Sequence, residues 1–504
     1  MKRIFLALVL LSSLCVSAES AIIYVDKDNS CPGAGTTDNP YCSIQNAFDR
    51  NLKRGDSIRI RDAATAYDQN ALLNNKSGSS GNPIIIEPDP GNNPTIRYSG
   101  NGSQNAAIEI RDSSYVIVRN LTFDGTGIAP SQSAIRVQAS THDISGNEVY
   151  GNTFLNWSGS EAQDVHNISV VLITSTGLRG GSVPRGTLVH DNTFTNCRHF
   201  AIGLPGAQNP EVYNNTVTGL KSGHSFGSGT RTSIEATAIT SGSWGGAAAP
   251  ANNSQGANIH DNSLHDFEPY PSNGLPNKAT AAYHVISGFH ADVNADNGQL
   301  VRNLIYNINQ GIRDGAGVGI FIESRCDGWV VKENRIYHMG NAGILNGRSG
   351  TGDANNNQFI NNVVDDAGYG LWAQRGFNLT IKNNIFSRCS ILAIFIDAIA
   401  ASEAPHTIDY NDYYSTDSNR IGKWNASCTD GMNCTFDAWK TTIQAVTGQS
   451  ADDTHAISTD PLFVSATTGS EDYHLKTSPA SPCINAGLNG VHIGAFPKDA
   501  PSRP

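Results

Sequence analysis

A short motif built around asparagine recurs along this chain and constrains its fold more than any other feature. Each copy has β-prone residues, then Asn, then one residue and usually another apolar one. The ten asparagines are Asn120, Asn152, Asn192, Asn215, Asn262, Asn303, Asn334, Asn362, Asn384 and Asn411. From Asn303 to Asn411 the intervals are 31, 28, 22 and 27 residues. A repeat of this length cannot bury its own apolar face, so the pattern predicts coils stacked into a solenoid with a continuous core.

The repeated asparagine is predicted to have a structural role. Asn tolerates left-handed backbone at a turn, and its side chain can hydrogen-bond to the equivalent Asn one coil away. The period and the short strands are typical of a parallel β-helix, whereas leucine-rich repeats need a Leu spacing that is absent and propeller blades need a longer period. The composition agrees, because 50 glycines in 504 residues disfavour helices.

Residues 1–18 have the features of a secretory signal peptide. Lys2 and Arg3 precede an apolar run that ends in Val-Ser-Ala, a sequence of small residues suited to cleavage. We therefore expect a secreted protein, extracellular or periplasmic. No other stretch is apolar enough to span a membrane, and a formal net charge of −11 makes nucleic acid a poor partner. The sequence leaves the oligomeric state open.

Eight cysteines follow the predicted signal peptide. Two pairs are close in sequence, Cys31 with Cys42 and Cys428 with Cys434, and in an exported chain they predict local disulfides. The pairing of the remaining four stays open; these are Cys197, Cys326, Cys389 and Cys483. The chain has no CxxC pair, so a structural zinc site has little support.

Both ends of the chain resemble a known group of proteins. The opening "IYVDKDNSCPGAGTTDNPYCSIQNAF" with "RGDSIRI", and the later "FDAWKTTIQAVTG", "DPLF" and "HIGAF", are similar to segments of the secreted right-handed parallel β-helix proteins, the pectate-lyase-like group of carbohydrate-active enzymes. This resemblance implies an all-β, right-handed parallel β-helix with short helical caps. It implies an N-terminal cap region at 19–57, the β-helix at 58–415, and a C-terminal cap and closing segment at 416–504.

A second apolar motif, often introduced by Gly or Ala, allows inward and outward side chains to be separated. In its last four copies the first aliphatic residues are Ile320, Ile344, Leu371 and Ile394. Because strand side chains alternate between faces, the next residue and the third residue after each of these should point outward. The predicted outward rows are Phe321, Leu345, Trp372 and Phe395, and Glu323, Gly347, Gln374 and Asp397, followed just past the strands by Arg325, Arg348 and Arg375.

Aromatic rings beside acids and arginines predict a polysaccharide-binding face, because sugars stack on rings and guanidinium groups pair with carboxylates. The candidate substrate-binding residues are Trp372, Phe321, Phe395, Gln374, Arg325 and Asp397. An alternative is that a long loop or another subunit covers these rings.

β-Elimination of a polyuronide requires a group that neutralises the uronate and a base that removes the C5 proton. Arg348 and Arg375 fit the first role and His290 the second, with Glu323 completing the candidate catalytic set. His284, Lys332 and His338 are alternative bases.

Hydrolysis instead requires two carboxylates, about 5–5.5 Å apart for retention or about 6.5–9.5 Å for inversion. Glu323 and Asp397 lie three coils apart, about 14 Å, which is too far. Another pair could come from the turns, at Asp314, Asp327, Asp365 or Asp366.

The sequence therefore favours a polysaccharide lyase acting on an anionic, uronic-acid-containing polysaccharide. The alternatives are a β-helix glycoside hydrolase and a non-catalytic carbohydrate-binding or cell-surface protein. The pectate-lyase RxPxxR and the polygalacturonase NTD, GHG and RIK motifs are absent, so no catalytic residue is carried over from those families. Ca²⁺ is a candidate cofactor through the oxygens of Glu323, Asp397 and the turn aspartates.

Overall fold

The computed structural model describes most of the chain as strands and turns. The described residues are 20–98, 106–126, 132–157, 169–175, 181–221, 223–226, 232–242, 254–267, 283–308, 316–348, 352–397, 405–417, 420–425, 434–447 and 452–496. The described α-helices are Ile44–Asp49 and Phe436–Thr447, and a 3-10 turn covers Leu488–Gly490. The predicted signal peptide and Asp314 lie outside the described residues.

Each coil contributes one short strand to a parallel sheet of 13 strands, which we call the first sheet. Its strands are Ile22–Val25, Ser57–Ile60, Ile84–Pro88, Val116–Arg119, Glu148–Tyr150, Leu188–His190, Glu211–Tyr213, Asn258–His260, Gln299–Val301, Val330–Lys332, Gln358–Ile360, Thr380–Lys382 and Thr407–Asp409. Residues 22–25 pair in parallel with 57–60, so the predicted N-terminal cap region already supplies one strand of the stack.

The second sheet has 23 strands and contains two parallel stacks. One stack follows the asparagines: Tyr67–Gln69, Thr95–Tyr98, Thr122–Asp124, Thr153–Leu155, Thr193–Thr195, Thr216–Thr218, Ser263–His265, Leu304–Ile308, Ile385–Ser387 and Asp412–Tyr414. The other contains Ala71–Asn74, Ala106–Arg111, Ser133–Ala139, Ser169–Ser175, Phe200–Gly203, Thr232–Ser241, Tyr283–Ala291, Ala316–Ile322, Leu392–Ile396 and Gly422–Trp424. Arg335–Asn346 and Val363–Ala373 run through both stacks, and Gly223–Phe226 pairs antiparallel with Thr232–Ser241. The chain is therefore a parallel β-helix, as predicted.

The described residues also form three two-stranded sheets. The first two are parallel and follow the same coils, because Gln208 bridges in parallel to both Arg185 and Gln255, whereas the third is antiparallel. Their strands are Ile144–Ser145 with Pro184–Arg185, Ser254–Gln255 with Ala295–Asp296, and Phe463–Ser465 with Asp472–Leu475.

A buried ladder of asparagine side chains runs along the corner between the first sheet and the second. In each step the backbone N–H and the side-chain NH₂ of one Asn both donate to Oδ1 of the Asn in the next coil, over 2.9–3.1 Å. The ladder contains Asn152, Asn192, Asn215, Asn262, Asn303, Asn334, Asn362, Asn384 and Asn411. The predicted hydrogen bonding between coils is therefore present.

Two details of the predicted repeat were wrong. Left-handed backbone occurs at the residue before each ladder Asn, for example Arg302 and Glu333 with φ of 56° and 59°, because that residue makes the corner. Asn120 occupies this corner position with φ of 57°, and Leu121 occupies the ladder position, where its backbone N–H donates to Asn152 Oδ1 at 3.0 Å.

The interior is filled by aliphatic and aromatic columns. Phe123, Phe154 and Phe194 stack on successive coils with ring centroids 5.1 and 4.6 Å apart. The second motif has a small residue before each of its first aliphatic residues, which we call anchors. Before the anchor Ile320, a Cβ on Gly319 would lie 2.5 Å from Ile336 Cγ2 and 2.6 Å from the carbonyl oxygen of Gly343. Glycine is favoured there because a larger side chain would collide with the core and with the next coil.

The cysteines partly follow the prediction. Cys31 and Cys42 form a disulfide. Cys434 is also disulfide-bonded, but Cys428 lies outside the described residues, so that pair stays a prediction. The other four, Cys197, Cys326, Cys389 and Cys483, are buried free thiols. Within the described part of the chain, no helix is long and apolar enough to cross a membrane.

Candidate functional site

The outer face of the second sheet carries the predicted rows in the predicted register. Ile320, Ile344, Leu371 and Ile394 are neighbours in successive coils and are fully buried, and the residues that follow them, Phe321, Leu345, Trp372 and Phe395, are likewise in register. The same row continues upstream to His290, which pairs with Phe321.

Phe321 does not have the solvent exposure that the sequence predicted. Phe321 and Leu345 point away from the helix interior, but both are only 1 % exposed. They pack in an outer apolar cluster with Val285, Val318 and Ala342, which project from the same strands. The ring of His290 stacks on Phe321 with centroids 4.9 Å apart. Phe321 therefore supports the neighbouring polar groups and offers no free face to a sugar.

Glu323 forms the centre of a buried polar cluster. Its Oε2 lies 2.8 Å from His290 Nε2, and its Oε1 accepts a hydrogen bond from Arg348 Nη1 at 3.1 Å. Three residues predicted as catalytic from different coils are thus in direct contact. Arg348 is ion-paired with a protein carboxylate, which differs from its predicted role of neutralising a substrate carboxylate.

Asp292 is a member of this cluster that the sequence interpretation missed. Ligand atoms of His290, Asp292 and Glu323 all lie within 4.8 Å of one another, and Asp292 is half-buried while the other two are buried. Asp292 is the third residue after Phe289, which pairs with Ile320. The alternation of inward and outward side chains would have predicted Asp292 if an aromatic residue had been accepted in place of the first aliphatic residue.

The two carboxyl groups have pKa values shifted in opposite directions. Burial raises the pKa of Asp292 to about 6, against the opposing positive charge of His290. Burial would also raise the pKa of Glu323, but the hydrogen bond from His290 and the charges of His290 and Arg348 hold it below its usual value. Burial would lower the pKa of His290, yet its bond to Glu323 and the charges of Asp292 and Glu323 raise it. The two carboxyl groups therefore differ in acidity, because the pKa of Asp292 is raised and that of Glu323 is lowered.

The remaining predicted residues lie further along the same face. Gln374 is 2 % exposed, and Asp397 is half-buried on the next coil. Arg375 is ion-paired, its Nη2 2.7 Å from Asp353 Oδ1. Arg325 is exposed and has a left-handed φ of 58°. Arg325 lies five residues after its anchor, whereas Arg348 and Arg375 lie four after theirs, so the three arginines do not form one row.

The alternative bases are elsewhere. Lys332 lies on the first sheet and pairs with Glu333 at 2.9 Å. His338 Nδ1 is 2.9 Å from Asn307 Oδ1. The side chain of His284 lies outside the described residues. Asp365 and Asp366, which the sequence placed in turns, lie in the strand Val363–Ala373. Asp365 is engaged, because it accepts hydrogen bonds from Arg388 and from the hydroxyl of Tyr473.

The Ca²⁺ prediction has no support from Asp397, which is four coils from Asp292 and does not share a cluster with it. In the described ranges, the group of three His, Cys, Asp or Glu side chains close enough to hold a metal ion is His290, Asp292 and Glu323. This set includes a nitrogen, whereas Ca²⁺ selects oxygen ligands. Both oxygens of Glu323 are already matched by His290 and Arg348, so its charge is balanced by protein groups.

Comparison with known proteins identifies the fold only. No protein-family model matches the sequence, and no curated protein matches it. Among solved structures, a GH136 lacto-N-biosidase from Eubacterium ramulus is 13 % identical with a TM-score of 0.50; the match covers 80 % of this chain and 65 % of that one. XylC in complex with xylose is 13 % identical with a TM-score of 0.50, covering 80 % and 86 %. The periplasmic alginate epimerase AlgG is 12 % identical with a TM-score of 0.46, covering 73 % and 74 %. The chain thus spans about 65 % of the length of the lacto-N-biosidase.

Proposed function

We propose that this protein is a glycoside hydrolase in which Asp292 is the general acid and Glu323 the nucleophile. One observation carries the proposal: two carboxyl groups from adjacent coils lie within 4.8 Å of each other with pKa values shifted in opposite directions. This limit on the distance between their nearest oxygens is compatible with the roughly 5–5.5 Å of retaining enzymes and is shorter than the roughly 6.5–9.5 Å that leaves room for a water in inverting ones.

The chemistry assigned to each residue follows from its contacts. Asp292 holds a proton at mildly acidic pH and donates it to the glycosidic oxygen as the bond breaks. Glu323 attacks the anomeric carbon and forms a glycosyl ester, and Asp292 then removes a proton from the water that cleaves this ester. His290 and Arg348 each contact one oxygen of Glu323, so they keep it ionised and fix its orientation.

A polysaccharide lyase is the second candidate, because an imidazole and a guanidinium group converge at Glu323 as β-elimination would require. It is less well supported. His290 has a raised pKa, which disfavours a base, and Arg348 is paired with Glu323, which leaves it less able to neutralise a uronate.

Other features are consistent with a carbohydrate-active, secreted protein. The two solved structures with TM-scores of 0.50 are a lacto-N-biosidase and a protein in complex with xylose. The Cys31–Cys42 disulfide supports an oxidising compartment and agrees with the predicted signal peptide.

The test is a product assay on a panel of neutral oligosaccharides and polyuronates. We expect new reducing ends without the ultraviolet absorbance of unsaturated ends. Asp292→Asn and Glu323→Gln should abolish this activity, and Asp68→Asn, a control at an exposed carboxylate on the strand Tyr67–Gln69, should retain it. Unsaturated products from a polyuronate would establish the lyase instead. Binding without any product would leave a non-catalytic carbohydrate-binding protein.

A further inference from the structure

Three aromatic side chains form a half-buried surface further along the face that carries Asp292 and Glu323. Trp372 and Phe395 are neighbours in the outward row, with ring centroids 5.8 Å apart and an interplanar angle of 19°. Tyr369, on the same strand as Trp372, lies 4.8 Å from the Trp372 ring and 5.9 Å from Phe395. We call Tyr369, Trp372 and Phe395 the aromatic platform. Its members are half-buried, in contrast to the covered Phe321 and Leu345 of the same row.

The indole N–H of Trp372 is the chemically distinctive group of the platform. This nitrogen is buried from solvent and has no hydrogen-bond partner among the described residues. A buried donor without a partner costs about 1–3 kcal/mol, so such groups usually serve a ligand or a strained site. A sugar hydroxyl beside a stacked ring would satisfy the donor and cover the ring at the same time.

The charges along this face argue against an anionic glycan. Arg348 pairs with Glu323 and Arg375 with Asp353, so protein carboxylates already balance both guanidinium groups. The ammonium group of Lys423 lies 5.7 Å from the centroid of the Phe395 ring, so a cation–π contact within the protein already engages this positive charge. An ionised Glu323 would in addition repel a uronate bound next to the reacting bond.

We propose that the platform is a binding subsite for an uncharged glycan, with Trp372 both stacking on a sugar ring and donating a hydrogen bond to one of its hydroxyls. This inference deepens the proposed glycoside hydrolase and rests on it for the position of the reacting bond. Trp372 is two coils from Glu323 and three from Asp292, about 10 and 14 Å at 4.8 Å per coil. One sugar ring cannot reach both places, so the preferred substrate is an oligosaccharide aligned with the helix axis.

The experiment measures binding without turnover, using the full chain carrying Glu323→Gln. The probes are xylo-, cello-, manno- and lacto-N-oligosaccharides from disaccharide to hexasaccharide, and oligogalacturonates and oligoalginates of the same lengths. Among the five tryptophans of the described part, Trp372 is half-buried and the other four are buried. A ligand that stacks on the platform should therefore change the fluorescence of Trp372. We expect a saturable change with at least one neutral series, increasing in affinity with length, and no change with the uronates.

Two substitutions separate stacking from hydrogen bonding. Trp372→Phe keeps an aromatic ring but removes the hydrogen-bond donor, so it should weaken glycan binding about two- to tenfold. Calorimetry measures the affinity of each variant. Trp372→Ala removes both and should weaken binding at least tenfold. Because Trp372 also packs against the outer apolar cluster, this variant should melt at a lower temperature, and binding is measured well below its unfolding transition. Unchanged affinity in Trp372→Ala, tighter binding of uronates, or failure of every neutral series to bind would overturn the proposal.

The outcomes also separate the subsite from the catalytic assignment. Hydrolysis by the unmodified chain together with unchanged binding by Trp372→Ala would refute the subsite alone. Trp372-dependent binding of a neutral glycan, with no hydrolysis by the unmodified chain, would refute the catalytic assignment alone.

Discussion

The asparagine ladder allows a quantitative prediction at Asn303, in the middle of the stack. Its Oδ1 accepts from the backbone N–H of Asn262 at 3.1 Å and from the Asn262 side chain at 3.0 Å. Its NH₂ group donates to the carbonyl oxygen of Ile259 and to Asn334 Oδ1, both at 3.0 Å. The side chain is fully buried, so water cannot replace these four bonds.

Asn303→Ala removes these four hydrogen bonds from two neighbouring coils. The backbone N–H of Asn262 and the carbonyl of Ile259 lose these partners. A buried polar group left unpaired costs about 1–3 kcal/mol, so the free energy of unfolding should fall by about 2–6 kcal/mol. Asn93 is an exposed asparagine whose Oδ1 accepts a hydrogen bond from Thr122 Oγ1 at 3.0 Å. Asn93→Ala should therefore cost less than about 1 kcal/mol.

Equilibrium urea unfolding followed by circular dichroism measures both variants, with refolding from urea as the check on reversibility. We expect a large decrease in the denaturation midpoint for Asn303→Ala and a small one for Asn93→Ala. Equal, small decreases would refute the reasoning, because they would mean that the ladder bonds are exchanged for others without loss. If a variant changes the dependence of the unfolding free energy on urea concentration as well as the midpoint, part of the stack unfolds separately, which a solenoid permits.

Further predictions concern pH and the closing segment. Activity, measured as kcat/KM, should fall as pH rises through about 6, because Asp292 then loses the proton that it donates. Asp453, which accepts hydrogen bonds from Tyr413 and Trp439, has a pKa that burial raises to about 7. Its contribution to stability is complete below about pH 4 and lost as pH rises to 7, on the order of 4 kcal/mol. Asp453→Asn should therefore raise the melting temperature at pH 8 and reduce the pH dependence of stability, to which Asp412 and Asp292 also contribute. An unchanged pH dependence would contradict this assignment.

The fold could be predicted from the sequence because it depends on a local, repeated pattern. An inward aliphatic residue with outward neighbours defines the strand register at Ile320, Ile344 and Leu371, and the pairing of these strands agrees. The position of the ladder was less certain at Asn120, where the chain places Asn at the corner and Leu121 in the ladder. Corner and ladder positions are adjacent, and both accept asparagine, so composition alone could not distinguish them.

The site was less predictable because its chemistry depends on side-chain partners in other coils. Outward direction did not guarantee exposure, since Val318 and Ala342 cover part of the row with Phe321. The arginines could be located but their partners could not, because Asp353 comes from a turn outside the repeat. Asp292 was missed because its coil places Phe289 where the others have an aliphatic anchor.

The stacking of coils explains how this chain can assemble a catalytic pair from residues 31 positions apart in sequence. The ladder and the buried anchors fix the spacing between neighbouring coils, so outward residues at equivalent positions, such as Asp292 and Glu323, are held close together by the backbone. A carboxyl pair formed in this way brings two negative groups together in a partly buried place, which is unfavourable unless one is protonated or paired with a cation. The raised pKa of Asp292 favours its protonated form at acidic pH, and Glu323 is paired with the positive charges of His290 and Arg348. Removing Arg348 should consequently raise the pKa of Glu323 and reduce activity at acidic pH first; Arg348→Met, assayed across pH, tests this, and a uniform loss at every pH would contradict it.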